Sequence, residues 1–319
     1  MSKDALPESV LVTGASGFLG QAVARALADA GVKIIATDVR ERDGSIPVEA
    51  LDLCDGEAVR ALLARLRPCA VVHCAAFGKD AAGLLASAEQ NPRRAVQVNV
   101  NAFSELLDAC QAAGIRRVVW SSSTTVYGPP ACYPGRTRVT EMDKPAPTSV
   151  YGATKMLAER VSALAFDPGR FEPVALRLPL VYGPGRWYGG AQARWMNFVR
   201  DAVAGRKQPY AFDTAPADWI YISDALDALR AALETPSLPH AVYNVEGTVT
   251  SPYDMAVLVA EFTQAGCQLE RHDLDREIVL VDGSAFARDT AYAPKVPQRL
   301  GVQRFVEHLQ NPNSGEKRE

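Results

Sequence analysis

The sequence predicts an α/β fold: a doubly wound parallel sheet followed by a smaller C-terminal substrate-binding lobe. Three observations lead there. Short apolar runs alternate with longer amphipathic stretches through the first half of the chain, the pattern of parallel strands joined by crossover helices. The first apolar run opens directly into a glycine-rich turn, Thr13-Gly14-Ala15-Ser16-Gly17-Phe18-Leu19-Gly20. Past about residue 180, glycine, proline and aromatic residues crowd into 182–190 and 208–219 and the alternation is lost.

Taken in order, residues 10–13 read as a buried strand and 19–30 as the helix after the turn. A second strand covers 33–38, a helix 57–66 and a third strand 70–74. A long helix over 92–113 stops at Gly114, since glycine reaches the left-handed conformation that closes a helix at little steric cost. Residues 117–121 are a strand, 149–164 a helix and 174–177 a strand. Later helices over 193–204 and 223–234 are interleaved with short strands, and the tail from 311 is polar. The division is a cofactor-binding domain over 1–180, with segments near 218–246 returning to it, and a mainly substrate-binding lobe over 181–319.

The 319 residues suffice for a full core, and a net charge of -3 with scattered Lys and Arg excludes an electrostatic nucleic-acid surface. Six cysteines without CxxC spacing read as buried small side chains in a reducing compartment. Four widely separated histidines form no metal signature, so no metal is expected. The first ten residues lack a signal-peptide core, and no run approaches the roughly 20 apolar residues of a membrane helix, which points to a cytoplasmic protein.

The glycine turn names a cofactor. Gly14 permits the sharp turn, Gly17 lets the backbone approach a pyrophosphate, and Gly20 lets the helix pack on the strand. A pyrophosphate there would meet free N–H groups at a helix N-terminus. The next strand ends at Asp38, whose carboxylate can bind the adenosine ribose hydroxyls and repels a 2′-phosphate, favouring NAD over NADP. Arg40, two residues on, is the feature that would relax that choice.

Tyr151 and Lys155 are four apart on a predicted helix, so their side chains share a face. A tyrosine is a poor base near neutrality, and a nearby ammonium together with a positive nicotinamide ring should lower its pKa. Lys155 can also hold the nicotinamide ribose. The strand end Ser121-Ser122-Ser123-Thr124-Thr125 supplies the hydroxyl that orients a substrate oxygen.

With these segments in view, the chain resembles the extended short-chain dehydrogenase/reductase family, and within it the NAD-dependent epimerase/dehydratase group that includes UDP-glucose 4-epimerase. The likeness runs from the glycine turn through Leu51-Asp52-Leu53, His73-Cys74-Ala75-Ala76, the serine run, Tyr151-Gly152-Ala153-Thr154-Lys155 and Val181-Tyr182-Gly183-Pro184-Gly185 to Asp218-Trp219-Ile220-Tyr221-Ile222-Ser223-Asp224. It implies a Rossmann-type fold, bound NAD, and a catalytic group of Ser123, Tyr151 and Lys155. It further implies that Phe18, Leu19, Ser121 and Pro179 join the glycines around the cofactor. Asp52 and Leu53 would flank the adenine, Ala75 and Ala76 would line the nicotinamide-side ribose and phosphate, and Asn99 would brace the active-site helix. Phe77, Thr124, Thr125 and Arg186 would meet substrate. A homodimer through a four-helix bundle of 92–113 and 149–164 is also implied.

Three departures bear on the substrate. Thr124 and Thr125 stand where the family's dehydratases carry Asp-Glu, and neither can act as a general acid or base, which disfavours dehydration and decarboxylation. Leu180 replaces an Asn, and Ala217 an Arg, that touch the substrate nucleotide in many relatives; Arg186, Arg194 and Arg206 are the nearby cations that could substitute. Trp187, Tyr188, Trp195 and Trp219 either stack on a sugar or fill the lobe's core, with core the expected role. Hydride transfer at a secondary alcohol of a sugar or sugar-like substrate is the leading expectation, as epimerisation if the keto intermediate stays and as net dehydrogenation if it leaves. The rival, a non-catalytic NAD-binding regulator, would be expected to have lost Tyr151 or Lys155.

Overall fold

The computed structural model describes residues 6–40, 46–78, 83–186, 188, 190–273 and 279–311. In chain order the first part comprises β1 (Ser9–Thr13), α1 (Phe18–Asp29), β2 (Lys33–Asp38), β3 (Val48–Ala50), α2 (Gly56–Leu66), β4 (Ala70–His73), α3 (Gly83–Gln90), α4 (Pro92–Val96) and α5 (Phe103–Ala112). Then come β5 (Arg117–Ser123), β6 (Arg138–Val139), α6 (Val150–Ala165) and β7 (Glu172–Leu178). The rest is β8 (Leu180–Tyr182), α7 (Ala193–Val203), β9 (Tyr210–Asp213), β10 (Ala217–Tyr221), α8 (Ile222–Glu234), β11 (Val242–Asn244), β12 (Thr248–Thr250), α9 (Pro252–Thr263), β13 (Leu269–His272), β14 (Leu280–Val281), α10 (Ser284–Thr290) and α11 (Gln298–Gln310).

The main sheet is parallel throughout, in the order β11-β7-β5-β4-β1-β2-β3. Its strands are apolar runs because both faces are covered. Along β1, Val10 and Val12 enter one core with α1 and α8, while Leu11 enters the opposite core with α2, α5 and α6. The expected doubly wound architecture is therefore present. A third core, with Trp195, Trp219, Tyr182 and Phe305 at its centre, joins α7, α9 and α11 to a small sheet ordered β12-β10-β8. Trp195 and Trp219 thus fill the lobe, each 2% exposed; Trp187 lies outside the described residues.

Several expectations are corrected. The 92–113 helix contains a π-helical stretch, Gln97–Ala102, between α4 and α5. Single π turns of this kind are rare insertions within α-helices. β5 extends through Ser123, two residues past the predicted end, because Ser121–Ser123 keep their ladder with Leu176–Leu178. Helix α3 carries no strong apolar periodicity and was not expected. Of the cysteines, all free, Cys110 is buried but Cys69 and Cys132 are exposed at loops, so the expectation of uniform burial fails for them. No described helix is long and apolar enough to cross a membrane, and no described cluster could hold a metal ion.

Candidate active site

The carboxyl ends of β1, β2, β4, β5 and β7 open into a cleft of about 850 Å³. Such a position, beyond the strand ends of a parallel sheet, is where α/β folds bind ligands. Gly14, Gly17, Phe18, Leu19, Gly20, Asp38, Asp52, Leu53, Ala75, Ala76, Ser121 and Pro179 all line it. So do Ser123, Thr124, Thr125, Tyr151, Phe77 and Arg186.

At the glycine loop the fit is set by backbone contact. Gly14 adopts φ +71°, and a Cβ there would lie 2.6 Å from the Ala75 nitrogen. A Cβ on Gly20 would strike the Gly14 carbonyl. Helix α1 starts at Gly17 without a side-chain cap and without an acidic residue in its first turn, so its first N–H groups are left to a ligand in the cleft. Asp38 closes the adenosine end: its carboxylate accepts from the Ser16 N–H at 3.0 Å and the Arg40 N–H at 3.4 Å. Asp52 accepts from the Cys54 N–H at 2.9 Å and pairs with Arg94 at 3.4 Å, contacts that hold it below the usual carboxylate range. These residues fit NAD: a glycine-built pyrophosphate cradle and a fixed carboxylate at the tip of β2.

The chemical end is built by β5 and α6. Ser149 caps α6 through the Gly152 N–H, and Glu89 of α3 accepts from the Val150 N–H at 2.7 Å. Tyr151 is 6% exposed and Lys155 2%. The Lys155 ammonium donates to the Ser121 carbonyl at 2.8 Å and lies 5.7 Å from the Tyr151 ring centre. Burial lowers Lys155 to about 8, against the opposing pull of Cys74 and Glu159. Burial likewise pushes the Tyr151 phenol above its ordinary value. Burial sets this direction in the protein alone; the expected lowering also calls on the positive nicotinamide ring that NAD would bring. The Ser123 hydroxyl accepts from the Thr125 N–H at 3.2 Å and hydroxyl at 3.0 Å, leaving its own proton free to donate.

Asn99 does not line the cleft. It is 3% exposed within the π-helical stretch, accepting from the Phe77 N–H at 2.7 Å and donating to Thr154 at 3.0 Å. It ties the β4 loop to α6 from behind, a bracing position away from the cofactor cleft. Arg194 and Arg206 also lie away from the cleft, bonded to the Ala211 carbonyl and to Asp201. Arg186 does reach it, donating to the Val181 carbonyl at 2.6 Å with its guanidinium 4.6 Å from the Tyr188 ring centre. Leu180 lines the cleft, whereas Ala217 is fully buried.

The sequence reading missed several groups. Gly83, Leu84 and Leu85 of α3, with Gly190 and Gln192, complete the far wall. His73 pairs with Thr13 at 2.8 Å, and burial depresses it to about 3. Ser122, Glu159, Arg177 and Tyr127 form a buried chain behind Lys155, for which the recurrence of 151, 155 and 159 on one helix was an available signal.

Residues 10–245 match the family described as NAD dependent epimerase/dehydratase. The chain belongs to that family. A member 27% identical over 97% of this chain and 77% of its own length is UDP-glucuronate 4-epimerase 4 of Arabidopsis thaliana. Another, UDP-glucose 4-epimerase of Azospirillum brasilense, is 30% identical over 70% of this chain and 68% of its own. Among solved structures, MoeE5 in complex with UDP-glucose and NAD has a TM-score of 0.80 at 26% identity, covering 96% of this chain and 100% of that one. As a member of the epimerase/dehydratase family, this chain is an NAD-dependent enzyme of the extended short-chain dehydrogenase/reductase type.

Proposed function

We propose that this enzyme epimerises a sugar carbon bearing a secondary hydroxyl, in a nucleotide sugar, with Tyr151 as acid–base and Ser123 and Lys155 as its partners. The observation that carries the reading is the convergence on one cleft of the glycine cradle, Ser123 and Tyr151, with Lys155 fixed directly behind. The glycine turn and Asp38 would hold NAD, which when bound would supply the hydride acceptor and donor. Tyr151 takes the hydroxyl proton as the carbon is oxidised and gives it back on reduction, and Ser123 donates its free proton to the substrate oxygen. Because Thr124 and Thr125 offer no carboxyl, elimination and decarboxylation have no acid–base group at those positions. Arg186 serves an anionic part of the substrate, and Phe77 packs beside it.

Residues 1–180, with returning segments near 218–246, form the cofactor-binding domain in this reading, and 181–319 the substrate lobe. The exposed apolar side chains Val96 on α4 and Leu157 and Leu164 on α6 support a homodimer through a four-helix bundle. The protein is taken as cytoplasmic.

A second reading, dehydrogenation of a polyol, sugar acid or keto compound that carries no nucleotide, is favoured by Leu180 in the cleft wall and by the burial of Ala217, where no side chain reaches a diphosphate. The two are separated by incubating the purified protein with UDP-glucose and UDP-glucuronate, then with free sugar acids and polyols plus NAD, while following absorbance at 340 nm. Interconversion of UDP-sugars with no net NADH establishes the epimerase. Steady NADH from a free substrate overturns it in favour of the dehydrogenase, and loss of either signal in Tyr151→Phe ties it to this site.

A further inference from the structure

Tyr151, Lys155 and Glu159 recur every four residues along α6, so the three side chains share one face. That face packs on the end of β5. There the three serines all reach the cleft, Ser122 buried and Ser121 and Ser123 half-buried on either side of it. The Ser121 carbonyl accepts from Lys155 at 2.8 Å, and the Ser122 hydroxyl donates to Glu159 at 2.5 Å. Two consecutive residues of β5 are thus pinned to two consecutive turns of α6. The residue after them is Ser123, and the residue one turn before is Tyr151.

Glu159 is held in turn by Arg177 of β7, whose Nε and Nη2 lie 3.0 and 2.7 Å from the carboxylate. Arg177 also donates to the Tyr127 hydroxyl at 2.5 Å, and Tyr127 donates to Asn244 of β11 at 2.9 Å. Glu159 and Arg177 are each 4% exposed. A buried ion pair contributes little net stability, because desolving both charges offsets most of their attraction. What this pair does supply is direction: Glu159 accepts from Ser122 of β5, the strand that carries the serine run, and from Arg177 of its neighbour β7.

We propose that Glu159 is a positioning residue of the reaction, which through Ser122 and Arg177 sets Ser123 against Tyr151. The proposal rests on the reading of Ser123, Tyr151 and Lys155 as the catalytic group. Glu159 also bears on the Lys155 ammonium, which shares its helix face. β4 presents His73, held neutral, and Cys74 follows it; β5 presents the Ser121 carbonyl and the Trp120 ring, 5.5 Å away; α6 presents Tyr151 and Glu159. Burial lowers Lys155, and Cys74 and Glu159 oppose that depression.

Removing Glu159 alone strands the Arg177 charge and endangers folding, so the test uses two other variants: Ser122→Ala, and the neutral pair Glu159→Gln with Arg177→Gln. The first readout needs no substrate. It is the ultraviolet titration of Tyr151 in the NAD-loaded protein, obtained by subtracting Tyr151→Phe, alongside the melting temperature. In the neutral pair, the Tyr151 ionisation is expected to move up by about one pH unit, since the phenolate loses a charged Lys155. In Ser122→Ala the titration stays, while kcat on the substrate found by the 340 nm screen drops about ten-fold at unchanged KM. A folded neutral pair with an unmoved Tyr151 titration, or a Ser122→Ala with wild-type kcat, overturns the proposal. If the wild-type difference spectrum shows no phenol that NAD brings into a lower range, the catalytic reading of Tyr151 itself fails, and the proposal falls with it for a separately visible reason.

Discussion

The two ends of the cleft are built by different means. At the adenosine end, binding is done by backbone: the Gly14–Gly20 turn, the uncapped start of α1, and an Asp38 carboxylate fixed by two N–H groups. At the substrate end, the wall comes from individual side chains on α3, on β8 and on the segment after it, among them Leu84, Leu180, Arg186 and Gln192. Tyr151 and Ser123 stand between the two. A site made of backbone tolerates little substitution and binds one class of ligand, whereas a wall made of separate side chains can change specificity one residue at a time.

The largest expected effect tests the middle of this arrangement. Tyr151→Phe keeps the packing and removes the proton carrier, so activity should fall about 10²–10⁴-fold. NAD affinity, followed by cofactor fluorescence, should stay within about two-fold, since the cradle is untouched. A comparable loss of NAD binding would show that the cofactor and chemical ends are not separable.

Next comes the backbone end. Gly14→Ala forces a side chain to φ +71° and against Ala75, which should cost about 1–3 kcal/mol and raise the NAD dissociation constant on the order of 10–100-fold. The matching change at the other end, Leu180→Asn, should leave NAD binding and melting temperature alone and alter only KM. Equal damage from both would dissolve the contrast.

Arg186→Met sharpens it from the substrate side. Loss of a charge-assisted bond of roughly 1.5–3 kcal/mol should raise KM for an anionic substrate about 10–100-fold and leave kcat and NAD affinity unchanged. An effect confined to NAD would move Arg186 to the cofactor end, because its guanidinium also lies 5.8 Å from the Phe18 ring centre.

The same contrast explains what could be read from the sequence. The sheet, the glycine turn, Asp38 and the Tyr151–Lys155 spacing are encoded locally: strand periodicity, a helix start and a four-residue repeat lie within a few residues of one another. The π-helical stretch at 97–102, the Thr13–His73 pair, the Ser122–Glu159–Arg177 chain and the α3 wall are not. The Thr13–His73 pair spans 60 residues and the links of the Ser122–Glu159–Arg177 chain 37 and 18, and the burial that raises the Tyr151 phenol is set by packing of the same distant kind.

The smallest effect concerns His73, which belongs to the backbone end yet titrates. It is held neutral between Thr13 and the Phe103 ring, 4.8 Å away, with its folded pKa near 3 against an ordinary value of about 6.5. Between these values the unfolded chain binds a proton that the folded chain refuses, so stability is intact above pH 6.5 and declines as pH falls through the window toward 3. By pH 5 the loss from this residue should be on the order of 1–2 kcal/mol relative to pH 7.5. Urea melts at both pH values, run on wild type and on His73→Asn, isolate it. The asparagine can still pair with Thr13 but takes no proton, so the variant's stability should fall less between the two pH values by that amount. An identical pH dependence in the two proteins would mean that His73 is already protonated in the folded state, and that the carboxyl ends of β1 and β4 hold a positive charge beside Lys155 rather than a neutral wall.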